Sequence, residues 1–331
     1  LSSCMRRVRP LVREAKWHGH ITKEGEAMEA YTAKALLPLI QQHGRTVFDE
    51  PSGTLFFNWT CSGFTVAFTG KSLRAKIQAY GDQVAPPPGS PPPPADYPWV
   101  GVVEDGDNLA RRVKCTEGAG WYELFSAPQE GRHTLRVIKL SENARGKAGL
   151  LALETDGAVL PADSRQEPLS IEFIGDSITC GFGNEAPGRD APFDTSEENG
   201  WMSFGAVAGR RLGAAYNMVS VSGIATHAPK HRPPHGKSMA EVYGFSDIYL
   251  AERLGREPER WDFHHHKKDI VVINLGTNDV APIRFYTDLA VADEEERYFE
   301  EKYREFIGFV RKCNGPDAWI VCTLGPLAYY L

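Results

Sequence analysis

The chain has 331 residues, with 37 Lys and Arg against 43 Asp and Glu for a formal charge of −6, and 42% of it is hydrophobic. That length and balance leave room for two domains with real cores and exclude a disordered or collagen-like chain. A net negative surface also argues against nucleic acid as a partner, because duplex binding draws on Lys and Arg set against phosphates.

The densest basic run, Arg6, Arg7, Arg9 and Arg13, reads as a solvated arm. No stretch approaches about 20 apolar residues, so no membrane partner is expected, and the start lacks the basic-then-apolar layout of a signal peptide. The chain is therefore expected to be cytoplasmic rather than secreted, although it begins with Leu rather than Met, which leaves an upstream segment open. Cys4, Cys61, Cys115, Cys180, Cys313 and Cys322 form no C-x-x-C pair and have no His at zinc-finger spacing. Free thiols are expected, and no structural metal site.

In chain order, residues 24–43 form an Ala/Leu-rich run broken near Pro38 that predicts one or two short helices, so 1–43 is expected to be an N-terminal helical extension. From Gly44 the texture changes to short alternating runs at 54–59, 64–70, 72–80, 99–105, 121–127 and 132–140. Apolar residues fall at every second position, as with Phe64, Val66 and Phe68 or Leu73, Ala75 and Ile77. Period two buries one face of a strand, so 44–164 is expected to be a β-sandwich. The proline-rich stretch at 86–94 cannot donate to a sheet and reads as a loop. His133 falls on a sandwich strand and is expected to be structural. Asn58-Trp59-Thr60 matches a glycosylation sequon, a common tripeptide.

From residue 165 the rhythm becomes strand, helix, strand: 171–174, 216–221, 270–275 and 319–324 as strands, 201–212 and 294–312 as helices. This alternation predicts a parallel sheet with covered faces, in which ligands sit beyond the carboxyl ends of the strands. Three such ends carry suggestive residues. After 171–174 comes Gly175-Asp176-Ser177-Ile178-Thr179-Cys180-Gly181-Phe182-Gly183, where a serine opens a glycine-rich turn whose amides can face an oxyanion, or simply caps a helix. After 216–221 comes Ser222-Gly223-Ile224, whose glycine admits close backbone approach or only makes a turn. After 270–275 comes Gly276-Thr277-Asn278-Asp279, where an Asn amide can donate to the same oxyanion or form an Asx turn.

The G-D-S-I-T-x-G-x-G run, the strand-end Gly and the G-T-N-D run resemble blocks I, II and III of the SGNH (GDSL-type) hydrolases. With the preceding sandwich, the layout from about residue 44 resembles carbohydrate esterase family 2, in which a jelly-roll domain precedes a flavodoxin-like α/β SGNH domain that removes acetyl groups from sugars. The resemblance implies that Ser177 is the nucleophile, and that its own N–H, the N–H of Gly223 and the side-chain amide of Asn278 form the oxyanion hole. Asp176 and Asp279 would brace the turns. The implied reaction passes through an acetyl-enzyme on an acetylated oligo- or polysaccharide, with no metal or organic cofactor.

The family takes its catalytic His, usually with an Asp three residues earlier, from a segment after the last strand. The final histidine here is His266, so the catalytic His and Asp are not found in this chain, and 165–331 is expected to be incomplete at its C-terminus. The D-x-x-H at Asp262 to His265 precedes the strand that leads to Asn278, which puts it at the opposite sheet edge, and it is rejected as the base. The His264–His266 triplet reads as a solvated loop. His227 lies on the correct edge and is the best substitute within the chain, but a substrate contact or a plain loop residue is the stronger reading. Two alternatives remain: a non-catalytic carbohydrate-binding protein using Trp59, Trp99, Trp121 or Trp201, each equally at home in a core, or an SGNH esterase or lipase acting on another acyl ester.

Overall fold

The computed structural model describes residues 28–325 apart from 84–90, 92, 105, 107, 164–166 and 189–192. The basic run near the start lies outside these residues, as does most of the proline-rich stretch. In the first half the elements are β1 (Glu29–Thr32), α1 (Ala33–Leu36), β2 (Gln41–His43), β3 (Val47–Asp49), β4 (Thr54–Phe56), β5 (Gly63–Tyr80), β6 (Trp99–Glu104), β7 (Asn108–Lys114), β8 (Gly118–Lys139), β9 (Lys147–Thr155) and β10 (Val159–Leu160). The second half runs through β11 (Ser170–Gly175), α2 (Ser177–Cys180), α3 (Phe204–Arg211), β12 (Ala215–Ser220), α4 (Met239–Val242), α5 (Ile248–Arg253), β13 (Ile270–Asn274), α6 (Thr277–Val280), α7 (Leu289–Asn314) and β14 (Trp319–Cys322).

Of the expected helical extension at 1–43, residues 1–27 lie outside the described residues, and the rest is corrected. Residues 29–43 belong to the sandwich: β1 pairs with β9, one turn of helix follows, and β2 pairs with β5. Ala and Leu favour helix, but an open strand edge at β9 outweighs that preference, and α1 ends short of Pro38.

The pairs of strands read as separate at 64–70 and 72–80, and at 121–127 and 132–140, are each one long strand. In β5 the buried positions are Phe64, Val66 and Phe68, then Leu73, Ala75, Ile77 and Ala79, so the phase flips from even to odd. The cause is an irregularity after Gly70, where the pairing with β8 passes from Gly70–Gly131 to Ser72–Ser126, leaving Lys71 opposite residues 127–130, and where Gly70 has φ +127°. Asp156 holds it by accepting the N–H groups of Lys71 at 2.8 Å and Ser72 at 3.0 Å. One extra residue turns every following side chain to the other face. The first half of β5 thus pairs with β2, β10 and the end of β8, while the second half pairs with β9 and the start of β8. Both halves bury their apolar faces in one core, which makes two layers from a continuous antiparallel sheet.

In the second half the strands run in parallel in the order β12-β11-β13-β14. No helix among the described residues is long and apolar enough to cross a membrane. The expected helix at 201–212 is a 3-10 turn at Gly200–Met202 followed by α3, because Ser203 starts a new cap by accepting the N–H of Ala206.

The two domains share a polar seam. Strand β4 stops at Phe56 because the next residues cross over: the indole of Trp59 sits in the core of the second domain and donates to the carbonyl of Ser246 at 2.7 Å. Asn58 is buried, donates to Asp247 and accepts the N–H of Ala148, so its amide is not available to a glycosyl donor. Arg45 is buried and donates to the carbonyls of Tyr243 and Phe245 and, at 3.2 Å, to Glu172 on β11. Removing one member of a buried pair strands the other charge. Arg45→Ala is expected to lower unfolding stability by about 3–5 kcal/mol, read from urea denaturation; a loss under about 1 kcal/mol would contradict the assignment.

Candidate active site

Three neighbouring strands deliver the site. Gly175 at the end of β11 pairs with Ser220 of β12 on one side and Asn274 of β13 on the other, so their loops leave from one edge. In the first loop Asp176 caps α2 by accepting the N–H of Ile178 at 3.0 Å, which leaves Ser177 half-buried as the first helical residue. The turn needs Gly175, since a Cβ there would stand 1.9 Å from the Thr179 hydroxyl. The N–H of Phe182 closes it on the Ser177 carbonyl at 3.1 Å.

In the second loop Gly223 has φ +78°, the left-handed region that favours glycine. In the third, Asn278 lies in α6, and its amide nitrogen stands 2.9 Å from the carbonyl of Ile224 and 3.5 Å from Asp176 Oδ2. One side chain therefore spans from the neighbour of Gly223 to the neighbour of Ser177. Asp279 turns inward and accepts the N–H of Thr226 at 2.9 Å, tying the third loop to the second. The structure thus brings Ser177, Gly223 and Asn278 to one edge, with Asp176 and Asp279 behind them. Burial pushes both carboxyls up to about 6, against the pull of the groups that donate to them.

A cleft of about 240 Å³ opens beside them, lined among others by Gly223, Asn278, His227, Arg232, His235 and Ser238. Its rim is fastened to α7 by buried Glu295, which accepts the N–H groups of Lys230 and His231, each at 2.9 Å. His227 lies in this cleft, edge-on to Phe306, with Nδ1 unpartnered among the described residues and burial lowering its pKa. His235 is nearer the glycine: its Cδ2 would lie 3.9 Å from a Cβ on Gly223. His265 is exposed, bonded to Asp262 at 2.6 Å, and precedes β13, so it sits at the opposite sheet edge. His266 stacks on Trp261, and His133 packs between Phe68 and Phe125. Among the tryptophans, Trp59 and Trp201 are core residues.

Behind α2 lies a buried acidic bracket. Atoms of Glu142, Cys180 and Glu198 fall within 4.8 Å of one another. Glu142 comes from the sandwich, and its N–H donates to Glu198 at 3.0 Å. Burial beside Glu142 lifts the Glu198 carboxyl well above the carboxylate range, and burial likewise lifts the Cys180 thiol. Burial thus disfavours the charged form of both groups.

Residues 173–330 match the GDSL-like lipase/acylhydrolase family, and residues 42–162 match the carbohydrate esterase 2 N-terminal domain. The chain belongs to carbohydrate esterase family 2. It is 31% identical over 293 residues to the cellulase/esterase CelE of Acetivibrio thermocellus, a match covering 88% of this chain and 32% of that protein. It is 27% identical to an acetylxylan esterase / glucomannan deacetylase of Cellvibrio japonicus, over 75% of this chain and 64% of that one. The chain thus spans about a third and just under two thirds of these curated relatives. A family two carbohydrate esterase from Clostridium thermocellum, solved in complex with cellohexaose, superposes with a TM-score of 0.71 at 29% identity, over 88% of this chain and 78% of that one.

Within this esterase-family fold, sequence reasoning missed Glu142, Glu198, Arg232, His235 and Glu295. Arg232 and His235 lie far along the loop after β12 rather than next to the strand end, Glu198 and Glu295 directly follow no strand of the sheet, and Glu142 sits in the other domain. A short signal was present in Ser141-Glu142-Asn143, polar residues following an apolar strand.

Asp279 gives a pH test. Its pKa is raised from 3.8 to about 6 in the fold, so between those values the folded chain keeps a proton the unfolded chain has lost. The stability this contributes is full below 3.8 and gone once pH passes about 6. Relative to Asp279→Asn, which does not titrate, the parent protein should lose stability as pH rises from about 4 to about 7. Urea denaturation across that range checks it, and a flat difference would refute it.

Proposed function

We propose that the chain is a serine esterase that removes acetyl groups from carbohydrates through an acetyl-enzyme. The observation that carries this is the Asn278 amide spanning the Ser177 and Gly223 loops at one edge of the parallel sheet. In this reading Ser177 Oγ attacks the acetyl carbonyl. The carbonyl oxygen becomes the oxyanion and takes the N–H groups of Ser177 and Gly223 and the N–H of Asn278 that otherwise makes the long 3.5 Å contact with Asp176. Collapse expels the sugar hydroxyl, and water attacks the acetyl-enzyme by the same route to release acetate.

The proton of Ser177 needs an imidazole. The family resemblance puts that base, with its Asp, in a segment after the last strand, and not at His227 or His235. The substrate class is supported by the names of the relatives and by the sandwich that precedes the hydrolase half. A short acyl group suits the cleft, which is small at about 240 Å³ and sets Arg232, His235 and Ser238 beside Ala225, Pro229 and Pro282 on its wall.

In the full-length protein, Ser177→Ala is expected to lower kcat for acetylated xylan by about 10³-fold or more, measured as acetate release. Turnover of 4-nitrophenyl esters should fall from acetate to octanoate, and a preference for octanoate would refute the deacetylase reading. His227→Ala and His235→Ala should each keep kcat within about tenfold; a loss matching that of Ser177→Ala would move the base into this cleft.

A further inference from the structure

We propose that Glu142, a residue of the sandwich domain, is a positioning residue for the oxyanion hole, fixing the Ser222–Gly223 backbone so that the Gly223 amide faces the acyl oxygen. This rests on the esterase reading of Ser177, Gly223 and Asn278.

Glu142 lies between β8 and β9 and is fully buried. Its Oε2 accepts two donors, the N–H of Ser222 and, at 3.5 Å, the thiol of Cys180. Ser222 immediately precedes Gly223, and Cys180 ends the same short helix that Ser177 begins. One carboxylate oxygen therefore ties the element bearing the Ser177 amide to the loop bearing the Gly223 amide.

The carboxylate is itself held. Its Oε1 accepts from Arg145 Nε at 3.4 Å. The backbone of Glu142 donates to Glu198 at 3.0 Å and accepts from the ammonium of Lys139, so neither end of the residue is free to shift.

The N–H of Ile224 closes the turn around Gly223 on the Val221 carbonyl at 3.2 Å, and the ties on either flank fix where that turn stands. Gly223 has no side chain, and even an added Cβ would find only His235 Cδ2 within 4 Å. Its orientation is inherited from its neighbours: Ser222, anchored upstream on Glu142, and Ile224, whose carbonyl accepts the Asn278 amide downstream. A glycine at φ +78° held from both sides presents a fixed donor, whereas one held from one side pays for its alignment in each transition state.

The test compares kcat and KM on 4-nitrophenyl acetate for the full-length protein, Ser177→Ala, Glu142→Gln and Glu142→Asp, each per mole of protein showing a cooperative thermal transition. Glu142→Gln keeps the shape of the residue and therefore the fold. Glu142→Asp keeps the charge but withdraws it by one methylene from Ser222. Both are expected to lower kcat by about 10- to 100-fold, below the 10²–10³ typical of deleting a donor outright, with KM within about twofold. Unchanged kcat in both folded variants, while Ser177→Ala is inactive, would overturn the positioning role alone. A rise in KM at constant kcat would also overturn it, by making Glu142 a substrate-binding group. Full activity in Ser177→Ala would defeat the esterase reading and the role built on it together.

Discussion

The structure depends on a buried polar seam between its two domains. Arg45 from the sandwich meets Glu172 on β11, the strand that leads directly into Ser177, and Glu142 from the sandwich meets Ser222 on the loop that carries Gly223. Buried charges of this kind add little net stability when compared with a well-packed apolar pair, but they are intolerant of misalignment. A sliding apolar interface would leave the domains free to find several docked arrangements. This seam is directional, because Arg45, Asn58, Trp59 and Glu142 each meet a specific partner across it.

From that constraint the site follows. The parallel sheet supplies three adjacent strand ends at a fixed lateral spacing of about 4.8 Å, and three short turns place a hydroxyl, a backbone amide and a side-chain amide there. The turns are braced by carboxylates pointing inward: Asp176 caps the helix of Ser177, and Asp279 fastens the loop after Gly223. Burial raises both, so these carboxyls take up their protons nearer neutral pH than an exposed carboxylate would, and the stability linked to that uptake is lost as pH rises past about 6. The rim of the cleft depends on Glu295 in the same way, one buried carboxylate accepting two backbone N–H groups.

How much of this was legible in the sequence varied with the range of the interactions. The three strand ends could be read directly, because a run of apolar β-branched residues followed by a glycine turn is a local pattern. The sandwich could be read as strands, and even its bulge was present as the change of phase between Phe68 and Leu73, although the single long strand it implies was taken as two. The run at 29–43 was misread because its composition favours helix, while the edge of β9 that captures it lies more than a hundred residues away. Glu142 was invisible for the same reason: its partners at Ser222 and Glu198 are far along the chain, and a lone glutamate after a strand carries no local signature of what it will touch.

Trp59 shows what this means for the molecule as a whole. It belongs by sequence to the first domain, yet its ring fills the interior of the second and its N–H satisfies a carbonyl there. Cut from its partner, the hydrolase half would carry an indole-sized void in its core and an orphaned carbonyl, and the sandwich would carry an exposed tryptophan. The point at which the chain changes from one architecture to the other is therefore not a boundary of cooperativity. The two folds share one interior through Trp59, and a gene fragment encoding only the half with Ser177 would encode an incomplete core.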